Sequence, residues 1–204
     1  MYNINIKLKV IQILMLLWSI QSEEVHEIIQ EEGVYRCGET YVDPDFKNAY
    51  DWLVGEMVKR IGPQPEGVRY PVWAMHTWYG KRQKPDFRSL RWEWGRKGEY
   101  YVCMEIDVPE SNVVLSDCDY WHSVLNDFPL TKSEEEFDNL ARKYDPLPAE
   151  EKQKFRENSW LGIFNFGNTD NDKWADSGKY IQGTFWELRK EQIRKASRFI
   201  SAGR

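Results

Sequence analysis

Tryptophan is the feature that most constrains this chain, because ten of its 204 residues carry that large ring. An indole is seldom fully buried, and its N–H needs a hydrogen-bond acceptor when it is. Most of these tryptophans have charged or polar neighbours, as in WAMHTW at residues 73–78, WEW at 92–94 and IQGTFWEL at 181–188. We therefore expect several rings to line a cleft or a surface rather than to fill a core.

Length and composition favour one domain. A chain of 204 residues with 41% hydrophobic content can bury about two thirds of its unfolded surface in a single core. The net charge of −5 argues against non-specific electrostatic binding of nucleic acid, so any anion-binding site must be local. Three widely spaced cysteines form neither a disulfide framework nor a zinc motif. We expect a cytoplasmic protein with no resident metal.

The first residues need separate treatment. Lys7 and Lys9 precede a short apolar run, which outlines a secretory signal but is too short to span a bilayer. No small-residue cleavage site follows the run. The favoured interpretation is that residues 1–15 are an extension or an upstream start and that the domain covers 16–204, with secretion as the alternative.

The hydrophobic pattern predicts an α+β domain with a central mixed or split β-sheet flanked by helices. Helix start and stop signals lie at Ser22 and Gly33, and again at Asp43 and Gly62. A capping-box pattern begins another helix at Ser116. Strands are predicted at 16–21, 34–36, 70–79, 99–108, 113–115 and 179–188, and 189–199 is a short helix or an edge strand. Dense mixed charge at 131–157 predicts a helical insertion or outer layer.

Residues 81–97 form a basic segment in an acidic chain, with seven Lys and Arg against Asp86 and Glu93. Guanidinium groups bind phosphates and indoles stack on bases, so this segment is the candidate contact for nucleic acid or another anion. The alternative is a solvated loop whose arginines stack on Trp92 and Trp94.

Other titratable residues give weaker signals. Glu105 and Asp107 share a strand face and could hold a cation or act as acid and base, but they fit the wetter face of a half-buried strand better. Neither His76 nor His122 has a second ligand at metal-binding spacing. These residues do not define an active site.

Amide side chains near the two ends of the chain form a more informative pair. Gln21 closes the first predicted strand, while Gln182, Thr184 and Trp186 share one face of the last long one and Glu187 points to the other. Amides beside tryptophan suit recognition of a flat ring that carries an amide. Ordinary hydrogen bonding at a sheet edge is the competing explanation.

Four segments carry a resemblance to a known family. LWSIQ, the long run from FKNAYDWLV to QKPDFR, VVLSDCDYWHSVLN and IQGTFWELRKEQI resemble the bacterial family called domain of unknown function 3841. The resemblance covers nearly the whole chain from Leu16 onward. Cys118 and the pair Met75–His76 stand where aromatic residues would be expected, so no role is assigned to them.

The opening strand, helix, Gly33 and next strand are also similar to the start of the ADP-ribosyltransferase superfamily, which holds NAD in the cleft of a split sheet. That resemblance implies that Gln21 and Tyr79 position the nicotinamide riboside and that Arg82 or Arg88 contacts the pyrophosphate. Gln182 and Thr184 fall where a transferase has a glutamate motif. Because Thr184 cannot stabilise a developing positive charge, Glu187 would have to do so, or the site does different chemistry.

The resulting hypothesis is a nucleotide-binding cleft with NAD as the candidate cofactor. We expect it to be lined by Trp18, Gln21, Trp73, Trp78 and Gln182. In the enzyme version the protein is an ADP-ribosyltransferase-like transferase. The alternatives are a non-catalytic module that binds nucleic acid through the basic segment and one that binds protein through exposed tryptophan.

Overall fold

A six-stranded antiparallel sheet forms the centre of the computed structural model, which describes residues 12–166 and 177–203. The strands are β1 Leu14–Ser22, β2 Val34–Arg36, β3 Val72–Thr77, β4 Tyr100–Pro109, β5 Val114–Asp117, β6 Ile181–Phe185, β7 Glu187–Arg189 and β8 Ile193–Ile200. The helices are α1 Glu23–Glu32, α2 Lys47–Ile61, α3 Phe87–Glu93, α4 Cys118–Leu125, α5 Glu134–Tyr144 and α6 Ala149–Trp160. The predicted α+β class, with a central sheet flanked by helices in one domain, is confirmed.

The strand order is β5-β6-β3-β1-β4-β8, and β2 and β7 form a separate two-stranded sheet. β1 pairs with β4 along its whole length, from Leu14 to Ser22. Its pairing with β3 on the other side is limited to Trp18 opposite Met75. The central sheet is therefore split between β1 and β3, and antiparallel rather than mixed.

Local sequence explains where the helices begin and end. The Ser22 hydroxyl accepts a hydrogen bond from the Val25 N–H at the start of α1, and Gly33 ends that helix in the left-handed conformation, with φ of 80°. Asp43 caps a short 3-10 turn at Pro44 that leads into α2. The cap of α4 is Asp117, one residue later than the predicted start at Ser116.

Two apolar clusters lie on the two faces of the central sheet, as the alternation of side chains along a strand requires. Leu17 and Met104 belong to the larger cluster, into which α1, α2, α4 and α6 pack. Trp18, Ile20 and Cys103 belong to the smaller one, which Leu90 of α3 and neighbouring aromatic rings cover. The side chains of β1 thus contact both cores.

The predicted strand at 179–188 is two strands, and the break has a consequence for the site. β6 lies in the central sheet, whereas β7, beginning at Glu187, pairs with β2 in the small sheet. Trp186 stands at the break, and its indole N–H donates a hydrogen bond to the Gly62 carbonyl over 3.1 Å. The break separates Glu187 from Gln182 and Thr184.

Several other predictions can be compared with the fold. The basic segment contains a helix, α3, capped by Asp86, and 189–199 includes the edge strand β8. The charged region 131–157 forms α5 and most of α6. Residues 1–11 of the predicted extension lie outside the described residues, as do residues 167–176. No helix within the described ranges is long and apolar enough to cross a bilayer.

Candidate functional site

A cleft of about 750 Å³ lies where β1 and β3 separate. It is lined by Trp18, Ile20, Gln21, Ser22, Tyr41, Tyr50, Trp73, Ala74, Met75, Trp78, Glu93, Trp94, Tyr101, Cys118, Trp121, His122, Tyr180 and Gln182. All five residues predicted to line a nucleotide cleft are in this set. They come from three strands and from the turn after β3, so the split in the sheet is what brings them together.

Two groups of rings form much of the lining. In the first, Trp73 lies 5.2 Å from Trp121 and 5.8 Å from Tyr50, measured between ring centroids. In the second, Trp78 lies 5.1 Å from Tyr180 in an edge-to-face arrangement. Aromatic contacts of this kind hold the rings in fixed positions, which favours a preformed site.

Three indole nitrogens at the cleft have no hydrogen-bond partner among the described residues. They are the Nε1 atoms of Trp18, Trp73 and Trp78, and each is buried. A buried donor without an acceptor costs about 1–3 kcal/mol. Such groups in a folded protein need an explanation, and a bound ligand or ordered water that supplies acceptors is one.

The two cleft glutamines are each anchored by a serine. Gln21 Nε2 donates to Ser19 Oγ over 3.0 Å, and Gln182 Nε2 donates to Ser116 Oγ over 3.3 Å. Both serines have no exposed surface. The amides are therefore held in place from inside the sheet.

The described residues that line the cleft include no Lys or Arg, and Glu93 is their one carboxylate. Burial, followed by the carboxylates of Asp119 and Asp117, raises the pKa of Cys118 to about 12. Its thiol is protonated at neutral pH and is not an activated nucleophile. Burial, followed by a hydrogen bond with Tyr79, raises the pKa of Tyr180. The cleft is thus aromatic and amide-rich.

Arg82 lies at the other end of the split, where its guanidinium bridges the two strands. It donates to the Leu16 carbonyl over 2.6 Å and also to the His76 carbonyl, and it lies 5.7 Å from the Trp18 ring centroid. This guanidinium replaces backbone pairing between β1 and β3. The structure therefore gives Arg82 partners other than a pyrophosphate.

Arg88 and Tyr79 lie outside the cleft lining. The Arg88 side chain is 92% exposed and pairs with Asp86, one residue before α3. Tyr79 is exposed in a left-handed turn, with φ of 51°, and its ring packs at the rim, 5.1 Å from the Tyr180 ring. Of the two, Tyr79 is the one placed beside the cleft.

Thr184 and Glu187 are not brought to the cleft. Thr184 is fully buried, and its hydroxyl donates to the Val114 carbonyl over 3.2 Å. Glu187 forms ion pairs with Arg36, at 2.7 Å, and with Arg189, at 2.5 Å. Burial alone would raise the pKa of the Glu187 carboxyl, but these two arginines outweigh it and lower the pKa.

Sequence reasoning missed several cleft residues. Tyr50 of α2 and Trp121 of α4 line the cleft but have no part in the predicted site, and neither do Ser19 and Ser116. Regular spacing along a helix cannot show that a ring on the buried face also borders an opening in the sheet. The small polar residues inside otherwise apolar strands, at positions 19 and 116, were the available signal.

The comparisons with known proteins identify the family. The family model described as domain of unknown function (DUF3841) matches residues 16–194, so the chain belongs to that family. No curated protein and no solved structure matches the chain. The likeness to ADP-ribosyltransferases and the bacterial origin gain no support from these comparisons.

Proposed function

We propose that the split-sheet cleft binds the ring of a nucleotide-type ligand, with NAD as the candidate. One observation carries this proposal: Trp18, Gln21, Trp73, Trp78 and Gln182 converge on a single cleft of about 750 Å³. That volume lies within the range of small-molecule sites, which combine apolar walls with a few placed polar groups.

The chemistry of the lining supports a flat ligand. Stacking of a base or a similar ring on an aromatic side chain contributes about 1–3 kcal/mol. The unpaired N–H groups of Trp18, Trp73 and Trp78 favour a ligand with hydrogen-bond acceptors. A ring that bears carbonyl or amide groups meets both requirements.

The phosphates of such a ligand would lie at the rim or beyond it, because the described lining has no Lys or Arg. Lys179 lies at the rim, 5.6 Å from the Tyr180 ring centroid and 5.7 Å from that of Tyr79. We therefore place the ring inside the cleft and the charged part of the ligand outside it.

The transferase version needs a carboxylate beside the reacting ribose. Glu187, which was expected to supply it, would have to leave Arg36 and Arg189 and cross to the cleft. Glu93 lines the cleft instead. Because Arg36 and Arg189 hold the expected carboxylate of Glu187 outside the cleft, we favour binding without turnover. Transfer would have to use Glu93, and release of nicotinamide from NAD is the assay that decides between the two versions.

A titration with NAD, followed by tryptophan fluorescence, tests the binding proposal. We expect saturable quenching, because five tryptophans border the cleft. Gln21→Ala should weaken it, whereas Gln153→Ala, which removes an exposed amide on α6, should not. No change up to about 1 mM NAD, where roughly 4 kcal/mol of binding would still register, would contradict the proposal.

Binding of single-stranded nucleic acid through residues 81–97 is the second candidate. Trp92 is 58% exposed with the Arg91 guanidinium 5.8 Å from its ring centroid, and the same segment delivers Glu93 and Trp94 to the cleft. Replacing Arg88, Arg91 and Arg96 together with Gln should weaken oligonucleotide binding and reduce its salt dependence. If no oligonucleotide binds, protein binding through exposed tryptophan is the remaining role for this segment, and the proposal for the cleft is unaffected.

We also place the protein in the cytoplasm. Cys37, Cys103 and Cys118 are all free, as expected in a reducing compartment.

A further inference from the structure

The hydroxyl group of Ser19 fixes the orientation of the Gln21 amide. Ser19 Oγ donates to the Trp73 carbonyl over 2.9 Å. A hydroxyl has one proton, and a carbonyl can only accept, so the Ser19 proton is committed to Trp73. Toward Gln21, 3.0 Å away, Ser19 can then only accept, and the group facing it must be the amide NH2. The Gln21 carbonyl oxygen lies on the side of the amide away from Ser19.

Burial makes this orientation durable. Ser19 has no exposed surface, so water cannot replace either of its partners. Rotating the Gln21 amide by half a turn would place its oxygen against Ser19 Oγ, whose proton is already donated to the Trp73 carbonyl. Such a mismatch costs about 1–3 kcal/mol. What Gln21 offers a ligand is therefore an acceptor and its second N–H.

The indole groups supply the opposite chemistry. Trp18, Trp73 and Trp78 carry donors without partners, and Trp73 is also the residue whose carbonyl holds Ser19. The residues that carry the acceptor and the donors thus line the same cleft. A ligand that satisfies both has an N–H donor next to an acceptor on its ring or ring substituent.

We propose that the cleft selects a ligand edge that carries an N–H donor beside an acceptor, read by Gln21, with Ser19 as the positioning residue that holds the Gln21 amide. This inference rests on the proposed binding of a nucleotide-type ring. Two kinds of ligand carry such an edge, namely the carboxamide of a nicotinamide nucleotide and the pairing edge of a nucleobase such as uracil.

Two matched pairs of probes test the selection. Nicotinamide mononucleotide and nicotinic acid mononucleotide differ in whether the substituent has N–H donors. Uridine monophosphate and its 3-methyl derivative differ in the ring N–H. We expect one pair to show at least about a tenfold preference for the member with the donor, and that pair identifies the class of ligand.

Gln21→Ala should reduce the preferred pair's ratio to about one, and Ser19→Ala should reduce it in the same direction. Ser197→Ala, a serine on β8 that contacts Lys84, is the matched control and should leave the ratio unchanged. Urea titrations check that each variant is folded. If Ser19→Ala does not fold, the result for Gln21→Ala alone tests whether Gln21 produces the preference.

The possible failures are distinguishable. If both members of each bound pair bind equally, the selection is wrong while the binding proposal stands. A preference that survives Gln21→Ala reflects charge or size rather than Gln21, and it also overturns the inference. If none of the four probes binds at about 1 mM, both the proposed selection and the proposed function are wrong.

Discussion

Five of the tryptophans form two groups that differ in one respect, the partner of the indole N–H. In the packed interior, the Trp160 N–H donates to the Phe128 carbonyl over 2.8 Å and the Trp186 N–H donates to the Gly62 carbonyl over 3.1 Å. At the cleft, the corresponding atoms of Trp18, Trp73 and Trp78 have no partner among the described residues. In this set, the indole N–H has a hydrogen-bond partner in the packed interior and has none at the split between β1 and β3.

We propose that this difference reflects a structural role for the first group and a binding role for the second. Selection for stability alone favours satisfied donors, because each unsatisfied one costs about 1–3 kcal/mol. Residues that break such a local rule in a folded protein are expected at functional sites. Three of the five tryptophans that line the cleft, Trp18, Trp73 and Trp78, break it together.

The largest expected effect is on the structural side. Trp186→Phe removes the hydrogen bond to Gly62 and part of a buried ring, so we expect a loss of about 2–3 kcal/mol in the free energy of unfolding. Trp18→Phe removes the same part of an indole ring but no hydrogen bond, and we expect a loss of about 1 kcal/mol or less. Urea denaturation measures both, and equal losses would remove the distinction between the two groups.

The bridge between the separated strands comes next. Arg82→Gln should lower the free energy of unfolding by about 1–2 kcal/mol, because two backbone carbonyls lose a charged donor at a partly exposed site. Arg88→Gln removes an exposed guanidinium that pairs with its near neighbour Asp86, and it should leave the unfolding midpoint unchanged. A comparable midpoint shift in the two variants would show that Arg82 does not hold the split.

On the binding side, Trp73→Phe should weaken NAD binding about tenfold, or about 1.4 kcal/mol, since it removes a donor and narrows the stacking surface. Trp186→Phe should bind NAD with unchanged affinity once corrected for the folded fraction. Fluorescence or calorimetric titration gives both affinities. Parallel losses would mean that the cleft tryptophans act only through the fold.

The smallest expected effect concerns pH. Burial, followed by the charge of Arg82, lowers the pKa of His76 to about 4. The unfolded chain takes up this proton near pH 6.5, so the stability due to the neutral ring is present above pH 6.5 and is lost as the pH falls toward 4.

The half-buried ring limits the contribution of His76 to about 1 kcal/mol. Urea denaturation from pH 7 to pH 4 should therefore show wild type losing more stability than His76→Gln. Parallel curves for the two proteins would contradict the assignment.

Much of the fold follows from local sequence. Ser22 and Gly33 bound α1 as predicted, because capping depends on neighbours in the chain. Trp18 and Trp73 could be chosen from the sequence because they are large rings on predicted strands. Their convergence depends on the split between β1 and β3.

The errors came from long-range structure. The predicted strand at 179–188 breaks at Trp186, whose indole binds Gly62, more than a hundred residues away. That break moves Glu187 to the small sheet. Likewise, Arg82 donates to the Leu16 carbonyl at the split between β1 and β3. No local sequence pattern reveals that contact.

The measurement that tests the central claim most directly is a two-dimensional ¹⁵N NMR spectrum of the indole N–H groups during a titration with NAD. We predict that the signals of Trp18, Trp73 and Trp78, assigned by Trp→Phe substitution, move downfield and saturate as the ligand supplies acceptors. Those of Trp160 and Trp186 should stay fixed because their carbonyl partners are unchanged. If no cleft signal moves, or if all five move alike, the cleft tryptophans are not a binding site for this ligand.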